Sequence, residues 1–226
     1  MDSAAEILAH LNTLANPDNI RGMARYGINT QDTLGISIYT LRPLAKEIGT
    51  NHALALELWE SGIHEARLLA GFIDDPQQVT PEQMERWVTD FDSWDICDQV
   101  CSNVFDRTPY AYPKAFEWSK RGEEFVKRAG FVLMAALSVH DKSAPDERFI
   151  EFLPVIKREA GDERNFVKKA VNWALRQIGK RNQALNQLAI QTAQEINQID
   201  SPAARWIAKD ALRELTSEKV QSRLKA

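Results

Sequence analysis

The segment Phe125-Val-Lys-Arg-Ala-Gly-Phe-Val-Leu returns 41 positions later as Phe166-Val-Lys-Lys-Ala-Val-Asn-Trp-Ala, and Ala174-Leu-Arg returns 37 positions later as Ala211-Leu-Arg. A unit of that length holds two helices and a turn, and one such unit cannot bury its apolar face alone. Neighbouring units therefore stack and share a continuous core. In such a stack every second helix lines the inner face, so function is sought on those helices.

The rest of the chain agrees with this reading. Apolar residues recur at three and four rather than at two, and strand signals are nearly absent. Helices are expected near 3–14, 40–48, 52–61, 64–74, 80–90, 93–105, 109–119, 122–139, 145–159, 163–180, 183–198, 201–214 and 216–224. Thr80-Pro81 and Ser201-Pro202 read as helix starts. The glycine-bearing segment from Gly22 to Tyr39 has no clear period and reads as a loop packed beside the first repeats. One domain over 1–226 is expected, with repeat units near 40–75, 80–105, 109–139, 145–180 and 183–214. No apolar run approaches the roughly 20 residues that span a bilayer, and the first residues do not read as a signal peptide, so a cytoplasmic protein is expected. Cys97 and Cys101, at i and i+4 without further ligands nearby, read as packed thiols rather than as a disulfide or a metal site.

A net charge of −4 argues at first sight against a polyanionic partner. The distribution reverses this: residues 1–113 carry 7 basic and 17 acidic side chains, and residues 114–226 carry 21 and 15. The stretch Arg164 to Arg181 holds six cations and no acidic residue. On a helical wheel, Lys169, Trp173, Arg176 and Lys180 fall within about 80° of Phe166, opposite Val167, Val171, Ala174 and Ile178. The next inner helix places Trp206, Lys209 and Arg213 opposite Ile207, Ala211 and Leu215. The preceding one places Arg128 opposite Val126, Ala129, Leu133 and Leu137. Three inner helices are thus expected to aim cations one way, two of them with tryptophan among the cations. Packing is the ordinary role of a helical Trp, but Trp173 lies off the apolar stripe.

In Asp92-Ser-Trp-Asp-Ile-Cys-Asp98, Trp94 and Asp98 stand at i and i+4, an indole and a carboxylate on one helix face. Asp92 and Ser93 suit a helix N-cap. Spacing alone leaves Asp98 open between a solvated carboxylate, a salt bridge and a site. The histidines His10, His52, His64 and His140 have no metal-ligand spacing, so neither metal nor cofactor is expected.

These segments resemble the AlkD-like DNA alkylation repair glycosylases, which are HEAT-like repeat proteins. The likeness spans residues 20–215. It is carried by Leu34-Gly-Ile with Leu41-Arg, Trp94-Asp-Ile-Cys-Asp98, Lys127-Arg128-Ala, and the helix Phe166-Val-Lys-Lys-Ala-Val-Asn-Trp173-Ala-Leu-Arg176. It departs from the family at Ser93, where some members carry a second Trp, and in its short N-terminal region. The resemblance implies an all-α HEAT-like repeat solenoid, an α-α superhelix with a concave DNA-binding face. It makes Asp98 the catalytic carboxylate, places Trp94, Trp173 and Phe166 at the lesion, and gives Arg128 a backbone contact. Lys169, Arg176, Lys180, Lys209 and Arg213 join Arg128 as expected phosphate contacts. The implied activity is monofunctional release of N7- or N3-alkylated purines from double-stranded DNA by a monomer, without a deep base-flipping pocket. The alternative is a non-catalytic HEAT module that binds structured nucleic acid or a protein, in which Asp98 is incidental.

Overall fold

The computed structural model describes residues 3–224, all helical or irregular, with no strand among them. Its contacts divide it into two compact units, one ending at Pro109 and one beginning at Tyr110.

The first unit contains α1 (Ala4–Thr13), α2 (Pro17–Arg25), α3 (Ile38–Ile48), α4 (His52–Glu60), α5 (His64–Ile73), α6 (Pro81–Thr89), α7 (Trp94–Asn103) and a 3-10 turn over Phe105–Arg107. Helix α5 lies against α3, α4 and α7, and eight of its ten residues are buried. Trp59 of α4 and Trp87 of α6 stack at 4.0 Å with planes 4° apart, and Phe91 closes on Trp59 edge-on. Such aromatic pairs contribute about 0.5–1.5 kcal/mol beyond the area they bury. Helix α2 falls partly in the segment expected to be a loop. Its start is readable in hindsight: Asn16 accepts from the Asp18 N–H, Pro17 fills the first turn where no donor is needed, and Asp18 faces the helix dipole.

The Leu34-Gly35-Ile36 segment owes its shape to Glu65. That carboxylate, on α5 and without exposed surface, accepts from the N–H of Leu34 (2.8 Å), Gly35 (2.7 Å) and Ile36 (3.1 Å). Three backbone donors offset its burial, which would otherwise be very costly for a carboxylate. Gly35 has φ +77°, and a Cβ there would stand 2.1 Å from the Asn16 carbonyl oxygen.

The second unit contains α8 (Ala111–Trp118), α9 (Glu124–His140), α10 (Asp146–Ile150), α11 (Phe152–Glu159), α12 (Asn165–Ile178), α13 (Gln183–Ile196), α14 (Pro202–Leu215) and α15 (Glu218–Leu224). The two repeated segments open α9 and α12, which pack on each other, and α12 packs in turn on α14. Polar bonds echo the repeat at a separation of 38 residues, as in Asn172 to Asp210 at 2.7 Å and Lys157 to Glu195 at 2.7 Å. The helix expected over 145–159 is interrupted at Glu151, because Pro154 has no N–H to give the Ile150 carbonyl. Cys97 and Cys101 are buried thiols with no disulfide between them. No helix among the described residues is long and apolar enough to cross a membrane.

Gly35→Ala is expected to destabilise the protein by about 2 kcal/mol or more, through backbone strain and the clash with Asn16. Gly22→Ala, inside α2 with nothing within 4 Å of the added Cβ, is expected to stabilise it by up to ~1 kcal/mol. Chemical denaturation of the two variants reads both signs.

Candidate nucleic-acid interface

In the first unit the candidate groups sit on α7. Trp94 begins the helix and Asp98 follows one turn later, both partly exposed. The N-terminus of α7 is held from outside rather than by its own cap. The Ser93 hydroxyl, fully buried, accepts from the Asn29 N–H at 2.7 Å, and Asp92 accepts from the Asn29 side-chain amide at 2.7 Å. The Trp94 indole donates to the Tyr26 carbonyl at 3.0 Å. Three bonds to the segment 26–29 thus fix the indole's position, and Ser93, at the N-cap position, makes no capping bond to its own helix.

On the adjoining side of α7, Asp95 pairs with His64 Nε2 of α5 at 2.9 Å. His64 is 3% exposed. Burial works to lower its pKa, but the hydrogen bond and charge of Asp95, with Glu65 and Asp92 behind them, outweigh burial and hold it above 6.5. Beside this pair lies an open cavity of about 610 Å³, walled by Met23, Tyr26, Ile36, Trp94, Asp95 and Gln99 among others. Local sequence patterns report neither feature, since the pair depends on the packing of α5 on α7 and the cavity on the fold of residues 19–38.

The second unit carries the remaining candidates. Along α12 the wheel holds: Val167, Val171, Ala174 and Ile178 have no exposed surface, whereas Phe166, Trp173, Arg176 and Lys180 are partly exposed and Lys169 is exposed. Along α14, Trp206 is 40% exposed and shares its face with exposed Lys209 and Arg213, while Ile207, Ala211 and Leu215 are buried. Lys168 lies 5.2 Å over the Trp206 ring.

Arg128 differs from the cation expected in solvent. It is 5% exposed, and its Nη1 donates to the Phe166 carbonyl at 2.6 Å. The reason is that α9 is covered on nearly every side from Val126 to Ser138, lying between α8 and α12. Phe125 and Phe166, the first residues of the repeated segments, meet at 5.5 Å.

Several of the other cations are matched by carboxylates that the basic stretch itself lacks. Glu214 of α14 accepts from Arg176 and, at 2.7 Å, from Lys180, and Asp210 accepts from Arg213 and lies 3.7 Å from Arg176. Burial works to raise the Glu214 carboxyl, but Lys180 and Arg176 hold it below its usual range. Arg164 is paired with Asp162 at 2.6 Å. Lys169 and Lys209 have no carboxylate within 4 Å among the described residues. No group of three or more metal-ligating side chains occurs among those residues either.

A profile of proteins described as DNA alkylation repair enzyme matches residues 7–215. The chain belongs to this family. Among curated relatives, uncharacterized proteins of Listeria innocua and Listeria monocytogenes are 24% and 23% identical over 193 residues, covering 84% of each chain. Among solved structures, a protein described as one of a new family related to the HEAT-like repeat DNA glycosylases with affinity for branched DNA structures matches with a TM-score of 0.78. It is 22% identical, over 95% of each chain. The all-α HEAT-like repeat fold is thereby shared.

The His64–Asp95 pair predicts a pH dependence. Because the folded His64 pKa lies above its unfolded value, the stability it contributes is complete below pH 6.5 and is lost as pH rises through the folded pKa. Unfolding free energies measured from pH 6 upward are expected to fall more steeply for the wild type than for His64→Gln. Parallel curves would remove His64 as the source.

Proposed function

We propose that this DNA alkylation repair family member is a DNA glycosylase that releases cationic N7- or N3-alkylated purines from duplex DNA, with Asp98 as its catalytic carboxylate. The observation that carries this is the position of Asp98 one turn after Trp94 on α7, both partly exposed, with the indole held by its bond to Tyr26.

The chemistry suits these residues. Alkylation at N7 or N3 puts a positive charge on the purine, so the bond from C1′ to the base nitrogen weakens without acid catalysis. As it breaks, its electron pair passes to the base and neutralises it, and positive charge develops on the sugar. Asp98 opposes that charge and positions a water, whose oxygen bonds to C1′ while its proton leaves to the carboxylate or to solvent. The Trp94 face attracts a cationic base by about 0.5–2 kcal/mol. In the second unit Trp173 and Phe166 offer further aromatic surface, and Lys169 and Lys209 are open to phosphates. The products are a neutral alkylpurine and an abasic site. Water is the nucleophile, so the reaction calls on no cofactor and no lysine Schiff base.

Base release from alkylated duplex DNA is expected for the wild type and is expected to fall by a factor of at least ~100 in Asp98→Asn, the scale of losing one electrostatic stabiliser of a transition state. No release by the wild type above buffer would sink the enzymatic reading. The affinity of the structural relative for branched DNA makes a non-catalytic DNA-binding module the second reading, and salt-sensitive DNA binding without base release is its signature.

The carboxylate matching on α14 gives a separate expectation. Glu214→Gln keeps the shape but releases Arg176 and Lys180, so duplex binding is expected to tighten and its logarithmic salt slope to steepen by about 1–2. Unchanged binding would mean that neither cation reaches phosphate.

A further inference from the structure

The second unit contains a cationic cavity in which Lys180 is the one member that the proposed function also uses. It measures about 620 Å³ and is open to solvent where the C-terminal ends of α9 and α12 meet α15. Lys142, Lys180, Arg181 and Arg223 line it, together with Asn182 and one carboxylate, Asp146. Both oxygens of Asp146 are taken by the Asn182 amide, at 2.8 and 2.9 Å, and Lys180 is paired with Glu214. No carboxylate stands within 4 Å of Lys142, Arg181 or Arg223 among the described residues.

Arg181 is the fixed member of the set. Its guanidinium lies 3.9 Å over the Phe149 ring and donates to the carbonyls of Ser138 (2.8 Å) and Ala144 (3.3 Å). Its Nε is buried and has no hydrogen-bond partner. The loop carrying Lys142 is pinned by Asp141, which accepts from the Ser143 hydroxyl at 2.9 Å and the Ala144 N–H at 3.0 Å. Capping of the α9 C-terminus explains the Arg181 bond to Ser138, and the bond to Ala144 ties down the loop that follows. The dipole of α15 likewise favours Arg223 in its last turn, but it does not account for the convergence of exposed Lys142 and Arg223 on the same opening, where neither side chain binds a carbonyl among the described residues. Four cations against Asp146 and the Glu214 partner of Lys180 leave an excess of positive charge that favours an incoming anion, and planar or multidonor cations around a polar hollow suit phosphate.

We infer that this cavity between the ends of α9, α12 and α15 is a phosphate-binding site that takes a backbone phosphate of DNA, separate from the groups around Asp98. The inference rests on the reading that the protein binds DNA, but not on its being a glycosylase.

The test is binding of the full chain to undamaged duplex across a salt series, comparing wild type with Lys142→Gln/Arg223→Gln. Both side chains are exposed and have no ion-pair partner among the described residues, so thermal unfolding is expected to be unchanged. The variant is expected to bind more weakly at low salt, with a logarithmic salt slope flatter by about 2. The charge-conserving Lys142→Arg/Arg223→Lys is expected to keep the wild-type slope. Equal affinity and slope in wild type and Gln variant would overturn the inference, as would failure of the wild type to bind duplex at low salt. A parallel melt in inorganic phosphate distinguishes the sources. Stabilisation by free phosphate that the Gln variant loses, with DNA binding unaltered, would overturn the assignment to the DNA backbone. Absence of base release would bear only on Asp98 and leaves these readouts intact.

Discussion

The arrangement around α7 depends on a carboxylate that never reaches water. Glu65 receives three successive backbone N–H groups and so dictates the path of residues 34–36. That path, in turn, carries the chain past α2, whose following residues Tyr26 and Asn29 hold the indole of Trp94 and the N-terminus of α7. The carboxylate buried in helix α5 and the candidate catalytic helix thus both hold the one segment that runs from α2 to α3. The neighbouring residue, His64, makes the second link by pairing directly with Asp95. Two consecutive residues of α5 thus hold two different neighbours of the site, which accounts for a helix that is buried yet carries both a carboxylate and an imidazole.

What the sequence made legible is what helical periodicity encodes. The buried stripe and the exposed stripe of α12 stand where the wheel places them, because Val167, Val171, Ala174 and Ile178 repeat at helical spacing and nothing interrupts them. The same arithmetic misjudged Arg128. A wheel describes one helix against one core, whereas α9 is enclosed on several sides and turns its arginine to the Phe166 carbonyl. Helix α2 escaped notice because it is short, its apolar side rests chiefly on Ile20 and Met23, and Gly22 stands inside it, leaving Asn16-Pro17-Asp18 to announce it. The Trp94–Asp98 spacing was visible, but the bonds that fix Trp94 come from residues 68 positions earlier, a separation that no local pattern reports.

Charge was legible only in part, for a related reason. The run Arg164 to Arg181 contains no acidic residue, yet Asp210 and Glu214 lie across from Arg176 once α14 packs on α12. Field strength at such a surface is set by the neighbouring repeat as much as by the helix that bears the cations. Lys169 and Lys209, which escape this matching, stand apart from Arg176, Lys180 and Arg213 although the sequence groups all five together.

The recurrence of polar bonds at a separation of 38 residues bears on how such a chain can change in length. Arg128 to Phe166, Asn172 to Asp210 and Arg176 to Glu214 all span that interval. Inserting one residue within α13 would alter the spacing between α12 and α14, and one helical position is a turn of about 100°. The Asn172 and Arg176 contacts could then not both be kept without unwinding part of a helix or absorbing the extra residue in the turn at 197–201. Substitutions at exposed positions leave this spacing untouched. The second unit is therefore tolerant of exchange and intolerant of single insertions within its helices, and it lengthens or shortens most readily by a whole helix pair.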